Sequence, residues 1–397
     1  MLNLAYRCKD MQKGKGIKRS VEERLAVAEK IAAESIVLLK NDDGILPLKK
    51  GASVCAAGCY AKPERGMLAG GGSSAVVPLT EKFDIIRLLE EKLGTKIPYE
   101  GMFYYDKVLG TNGYGDWTGK PFRARNNAAM SDTCLIFAGT GTPFEYESFD
   151  RPDMKLPYVQ ERAIIDISSV NPNTVVVIFA GSAIDVSAWA DKVKGVVYAG
   201  FCGERGINAL ADILCGKVNP SGKLTETFPV NFESSPVAET YIDAMATCYQ
   251  DGLNVGYRYY DRHHRAAAFP FGFGLSYSEF EYGDLKVTSD GTEAEVSFTV
   301  RNVSEVAGKE VAQVYVQELS PVVYRPVKEL KGFAKVEIKA GEKKRVNVKL
   351  DGRAFAYYST ADDCWRVNDG AFGILIGSSS RDIRLDKVIR IENGKIL

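Results

Sequence analysis

Histidine is nearly missing from this chain of 397 residues: only His263 and His264 occur. They are adjacent, and neighbouring side chains on a strand point to opposite faces, so they do not form a working pair. That removes most Ser/His, Cys/His and histidine–metal chemistries and leaves carboxylates as candidate reactive groups. No CxxC pair exists among the eight cysteines, and Cys55 and Cys59 have no histidine near them, which argues against a zinc site. Several cysteines lie inside apolar runs, as Cys134 does in TCLIFAG, and read as small buried hydrophobes in a reducing setting. Neither sign of charge is in excess, with 51 Lys plus Arg against 51 Asp plus Glu, and no basic run is interleaved with aromatics, so nothing points to nucleic acid. No stretch reaches the ~20 apolar residues that span a bilayer. The opening MLNLAYRCKDMQKGKGIKR has no apolar core of signal-peptide length, so the expected location is cytoplasmic.

What is present divides the chain by texture. Leu25, Ala28, Ala32, Ile36 and Leu39 share one helical face, and the pattern breaks at Asn41–Gly44. SVCAAGC reads as a short strand. Thr80 is placed to cap a helix carrying Phe83, Ile86, Leu89 and Leu93, with Gly94 ending it, and Pro157 is placed to open another. TCLIFAGT, TVVVIFAGS and KGVVYAG are continuous apolar runs, the mark of parallel strands covered on both faces. Helices alternating with such strands predict an α/β sandwich over residues 21–230, after an N-terminal segment 1–20. A connector rich in Pro, Gly and Tyr follows over 231–280. From 281 to 397 the runs EVSFTV, VAQVYV and VNVKL alternate, with Val296/Phe298/Val300, Ala312/Val314/Val316 and Val346/Val348/Leu350 facing one core. Turn signals such as SEVAGK, KAGEKK and VNDG complete an all-β sandwich of immunoglobulin-like size.

An ordered series of segments resembles glycoside hydrolase family 3. AAESIVLLKNDDGILPL (Ala32–Leu48), GGGSSAVVP (Gly70–Pro78), EYESFDRPDMKLP (Glu145–Pro157), NPNTVVVIFAGS (Asn171–Ser182) and GKVNPSGKLTETFP (Gly216–Pro229) are similar to its C-terminal α/β domain. VGYRYYD and FPFGFGLSY continue the series, and RPVKELKGF (Arg325–Phe333) with GSSSRDIRL (Gly377–Leu385) resembles the fibronectin type III-like domain at the end of many members. The resemblance implies a mostly parallel six-stranded α/β sandwich followed by that all-β domain. Typical members also carry a (β/α) barrel with the nucleophilic Asp and most sugar contacts; nothing here resembles it, although LNLAYR looks like its last helix.

Retaining glycosidases need two carboxyl groups about 5–5.5 Å apart, one attacking the anomeric carbon and one protonating the leaving oxygen. The family's acid/base loop reads Glu, a small residue, an aromatic, then Asp-Arg. Glu147, Ser148, Phe149, Asp150 and Arg151 match it, with Ser148 standing where the family usually has Gly. The resemblance therefore implies Glu147 as acid/base, with Glu145 as the alternative, and Trp117, Phe149 and Arg151 are expected to bind substrate. A general acid is expected to have a raised pKa. A solvated acidic loop with Arg151 pairing locally is the competing reading. Trp117, in NGYGDWTGK, either stacks on a sugar or packs its own loop. GGGSSAVVP lacks the ending of a phosphate cradle and reads as packing at a domain junction. Tyr257, Tyr259 and Tyr260 read as core or interface residues, and Arg262–Arg265 as an exposed turn.

The expected function is the acid/base half of a retaining β-glycosidase, β-glucosidase-like, acting on terminal β-linked sugars. Its partner would be a barrel chain or a missing N-terminal half; no metal or organic cofactor is implied, and the sequence leaves an oligomer open. A non-catalytic carbohydrate-binding or scaffold protein of the same descent, or the truncated product of a split gene, is the alternative.

Overall fold

The structure is a computed structural model, and it describes residues 19–61, 71–74, 78, 84–101, 121–148, 150–241 and 249–397. Residues 1–18, with the LNLAYR segment, lie outside them, as do Thr80, Phe83, Trp117 and Phe149. Strands β1 (Val37–Asn41), β2 (Val54–Ala57), β3 (Tyr99–Glu100), β4 (Thr133–Gly139), β5 (Thr174–Phe179) and β6 (Gly195–Tyr198) form one sheet in the order β1-β6-β5-β4-β2-β3. All neighbours are parallel except β1, which runs antiparallel to β6. Every residue of β2, β4 and β5 is buried. Alternate side chains divide the core. Leu135, Phe137, Val175 and Val177 face helices Ile85–Leu93 and Gly206–Leu214, while Ile136, Ala138, Val176 and Ile178 face helices Pro121–Ala129 and Tyr158–Ser168. This is the expected α/β sandwich, with a mostly parallel six-stranded sheet.

Three local expectations shift. The first helix ends at Ser35, and Ile36 through Leu39 run into strand β1 instead of extending the helical face. All four of those side chains are nearly inaccessible, and Leu38 also bridges Leu275, so the apolar run is satisfied on both faces of a strand. Asp84, accepting from the Arg87 N–H at 3.2 Å, caps the helix assigned to Thr80; Gly94 ends it in the left-handed region at φ +72°. Pro157 is the residue before the first helical position, not the position itself.

Two small antiparallel pairs stand apart from the two larger sheets of the second layer system: β7/β8 (Phe228–Pro229, Ala267–Phe269), whose strands are distant in sequence, and the hairpin β14/β15 (Tyr357–Ser359, Cys364–Arg366). There β9 (Phe280–Ser289), β10 (Ala294–Asn302) and β13 (Lys343–Leu350) form one antiparallel sheet. The facing sheet contains β11 (Gly308–Glu318), β12 (Glu329–Ile338), β16 (Gly370–Gly377), β17 (Ile383–Glu392) and β18 (Lys395–Ile396). The predicted inward triplets of β10, β11 and β13 are all buried in its core. The sandwich is stitched to the α/β unit by polar contacts. Asn219 Nδ2 donates to Ser278 Oγ and Ala307 O at 2.9 Å each, Gln313 Nε2 donates to Gly272 O at 3.0 Å, and Glu34 is paired by both Lys309 and Lys335. Among the described residues no helix is long and apolar enough to cross a membrane.

Phe137 is fully buried at the centre of β4. Phe137→Ala should therefore lower the unfolding free energy by about 3–5 kcal/mol in urea titrations, through lost burial plus the cavity left behind.

Candidate functional site

The strand order places a crossover between β2 and β4: the chain leaves β2 toward β3 on one side, then returns past it to β4 on the other. At such a switch the loops after the two strands diverge from a common crevice at the carboxyl edge of the sheet, where open α/β sheets present their functional groups. Both loops are partly described here, and they meet. Gly71 N–H donates to Glu145 O at 2.7 Å, and Gly71 pairs with Tyr146 as a parallel bridge.

Glu145 and Glu147 sit two residues apart in very different surroundings. Glu145 is half-buried at the base of the loop. Its carboxylate accepts from Thr140 Oγ1 at 2.5 Å and from the Gly181 N–H at 2.9 and 3.0 Å, and Arg151 lies 3.7 Å away. A Cβ at Gly181 would stand 2.4 Å from that carboxylate, so the close approach requires glycine. Glu147 is exposed at the loop tip. Its Oε2 accepts both from the Ser73 N–H at 2.8 Å and from the Ser73 hydroxyl. Gly72, at φ +73°, makes room for it, since a Cβ there would fall 2.5 Å from Glu147 Cβ.

Arg151 is turned inward. Its Nη2 donates to Ser182 Oγ at 2.8 Å and to Ala183 O at 3.3 Å, while Nη1 is buried with no hydrogen-bond partner among the described residues. The local pairing expected of a plain acidic loop thus holds for Arg151 and Glu145 but not for Glu147. Ser148 adopts φ +66°, the left-handed region, which accounts for the glycine usual at this position of the motif. The expected upward displacement of the Glu147 pKa is absent and reversed: the two Ser73 donors hold its carboxyl below the ordinary value, because donors aimed at a carboxylate favour the charged form. Two neighbours behave oppositely. Burial raises Glu226, with Arg151 opposing and Glu145 reinforcing. Burial pushes Glu161, on the helix after the loop, up to about 7; Lys155 opposes this, while Asp185 and Asp153 add to it.

The glycine-rich segment read as domain-junction packing is packing of another kind, since its described part grips the acidic loop. Sequence reasoning did not find Ser73 or Glu226 as members of the site; the glycines at 71 and 72 were the only local signal for the first. Trp117 and Phe149 fall outside the described residues. Tyr260 is buried and Tyr257 stacks on Phe271 at 4.8 Å, as core or interface residues should. His263 follows a short helix, Tyr257–Arg262, rather than lying on a strand, and Arg262–Arg265 is exposed. Among the described residues no group of three or more His, Cys, Asp or Glu side chains is gathered for a metal ion.

A mostly parallel sheet with an acidic loop at its switch point is thus joined to an all-β sandwich. The chain belongs to glycoside hydrolase family 3: residues 36–277 match the glycosyl hydrolase family 3 C-terminal domain and residues 310–380 a fibronectin type III-like domain. It is 42% identical over 380 residues to thermostable beta-glucosidase B of Acetivibrio thermocellus, covering 92% of this chain and 48% of that protein. It is 38% identical over 386 residues to an exo-alpha-(1->6)-L-arabinopyranosidase of Bifidobacterium breve, covering 93% and 49%. The solved GH3 beta-glucosidase of Bifidobacterium adolescentis superposes with a TM-score of 0.85 at 34% identity, over 98% of this chain and 56% of that one. The chain thus spans about half the length of the curated relatives it matches. The described residues contain no (β/α) barrel.

Ser148→Gly should change stability by less than about 1 kcal/mol in thermal melts, strain relief offsetting the added freedom of the unfolded chain, whereas Ser148→Val should destabilise by about 1–3 kcal/mol. Glu161 holds a proton in the native state that the unfolded chain, with an ordinary value of 4.5, has already lost. Stability contributed by that proton is therefore lost as pH rises from about 4.5 to 7. Glu161→Gln should remove this dependence and gain roughly 1–2 kcal/mol at pH 8 relative to pH 5, read by urea unfolding at both values.

Proposed function

We propose that this chain supplies the general acid/base of a retaining β-glycosidase, β-glucosidase-like, with Glu147 as the proton-transferring residue, working with a nucleophile-bearing barrel. The barrel would come from another chain or from a further segment of the same polypeptide. The observation that carries the reading is the contrast within the loop: Glu145 is engaged by Thr140, Gly181 and Arg151, whereas Glu147 stands exposed at the carboxyl edge with one oxygen unengaged among the described residues.

In the first step Glu147 gives its proton to the glycosidic oxygen as the C–O bond breaks and the barrel carboxylate bonds to the anomeric carbon. In the second, Glu147 takes a proton from water as that water attacks the same carbon and releases the carboxylate. One carboxylate performs neither displacement alone, so the isolated chain is expected to be nearly inactive. The low pKa of exposed Glu147 suits the resting state; a bound sugar that excludes water, and the charge of the partner carboxylate, would raise it toward the value a general acid needs. Phe149 and Trp117 would lie on the substrate side, while Arg151 braces the loop from beneath.

The same proposal divides the chain at 21–230, 231–280 and 281–397. A reducing, cytoplasmic setting belongs to the same proposal, resting on cysteines such as Cys55 and Cys134 that lie inside buried apolar strands.

The test is a chimera joining this chain to the N-terminal half of thermostable beta-glucosidase B. Glu147→Ala should lower hydrolysis of alkyl β-glucosides by roughly 10²–10⁴-fold. Added azide should restore turnover of activated aryl glucosides and yield the β-glycosyl azide. An active chimera indifferent to Glu147→Gln would overturn the assignment. Sugar binding by the chain with no contribution to rate would favour the carbohydrate-binding alternative.

A further inference from the structure

The two oxygens of Glu147 are not equivalent. Oε2 receives two donors from one residue, the Ser73 N–H at 2.8 Å and the Ser73 hydroxyl, while among the described residues Oε1 receives none. Ser73 itself is exposed and sits on a short turn, Gly72–Ser74, whose position is fixed by the pairing of Gly71 with Tyr146 and by the Gly71 N–H bond to Glu145 O. The donor pair is therefore registered against the acidic loop on both sides of the crossover between β2 and β4.

We propose that Ser73 is a positioning residue for Glu147: by engaging Oε2 through both its N–H and its hydroxyl, it makes Oε1 the oxygen that carries and transfers the proton. The inference rests on Glu147 being the acid/base and assigns a division of labour within its carboxyl group. A proton on Oε2 would displace two donors, so protonation goes to Oε1. When the Oε1–H bond breaks and the leaving oxygen takes the proton, negative charge spreads to Oε2, where two donors already point. When water is deprotonated in the second step, Oε1 takes that proton and Oε2 keeps its partners. The carboxyl group does not have to turn between the two half-reactions. Gly72 contributes by shape, since any side chain there would push Glu147 away from the Ser73 N–H.

A residue that only stitches two loops would support folding without changing how Glu147 titrates. Ser73→Ala keeps the N–H and removes the hydroxyl; Ser73→Thr keeps both. In the full chain, carbon-13 NMR of labelled glutamate should show the Glu147 titration moved to higher pH in Ser73→Ala and returned in Ser73→Thr. In the active chimera, Ser73→Ala should move the alkaline limb of kcat/KM to higher pH. It should also cut kcat by roughly tenfold for alkyl leaving groups and far less for dinitrophenyl ones, which depart without acid assistance. If Ser73→Ala destabilises the chain, the nearly isosteric Ser73→Cys, a much weaker donor, takes its place with the same expectations.

A folded Ser73→Ala chain with an unmoved Glu147 titration overturns the inference. So does a rate loss equal for all leaving groups. Failure of the acid/base reading looks different: the chimera would ignore Glu147→Gln while Ser73→Ala still shifted the Glu147 titration.

Discussion

A sheet covered by helices on both faces can offer side chains to the outside only from its rim. In this chain β2, β4 and β5 are buried without exception, and the polypeptide solves the problem at the crossover beside β2. Two loops leave the rim there in opposite senses and are bound to one another by a short parallel pairing between Gly71 and Tyr146. The meeting of the acidic loop with the glycine-rich turn depends on that pairing. It fixes where Glu145 turns inward, where Glu147 emerges and which donors Glu147 meets.

The two glutamates show how environment assigns roles to identical groups. Two neighbours of Glu145, Thr140 and Gly181, come from the ends of β4 and β5, so its carboxylate acts as a keystone joining adjacent loop bases. Arg151 extends the same inner layer to Ser182 and Ala183, and its charge acts on partly buried Glu226. Above this layer Glu147 meets, among the described residues, the two donors of Ser73. The layer below is shielded from water and largely cross-bonded, whereas the carboxyl above it is exposed and keeps one oxygen free among the described residues.

Much of the architecture was legible in the sequence because the strands declare themselves by burial. TCLIFAG and TVVVIF are apolar throughout, a pattern open to few structures other than a doubly covered strand, and the alternating triplets of the sandwich are equally direct. Ile36–Leu39 misled because a short run buried on every side looks the same to helical and extended periodicity. The motif carried Glu147 and the left-handed Ser148. It did not carry Ser73, since the contact joins residues more than seventy positions apart and nothing local in a serine announces which carboxylate it will meet. Nor did it carry the direction of the Glu147 pKa, which is set by those donors and by exposure rather than by neighbouring acidic letters.

The antiparallel pairing of β1 with β6 has a bearing on how the chain is made. Val37 pairs with Tyr198, so the first described strand of this sheet must wait for the sixth before the sheet can close. Until then the apolar edge of IVLLK has no ladder to join, and a nascent chain halted before residue 195 would carry it as an open template for pairing with other chains. The order of synthesis thus sets a period of vulnerability, and the helix Val21–Ser35 immediately ahead of β1 is an element already synthesised and at hand to shelter that strand while it waits.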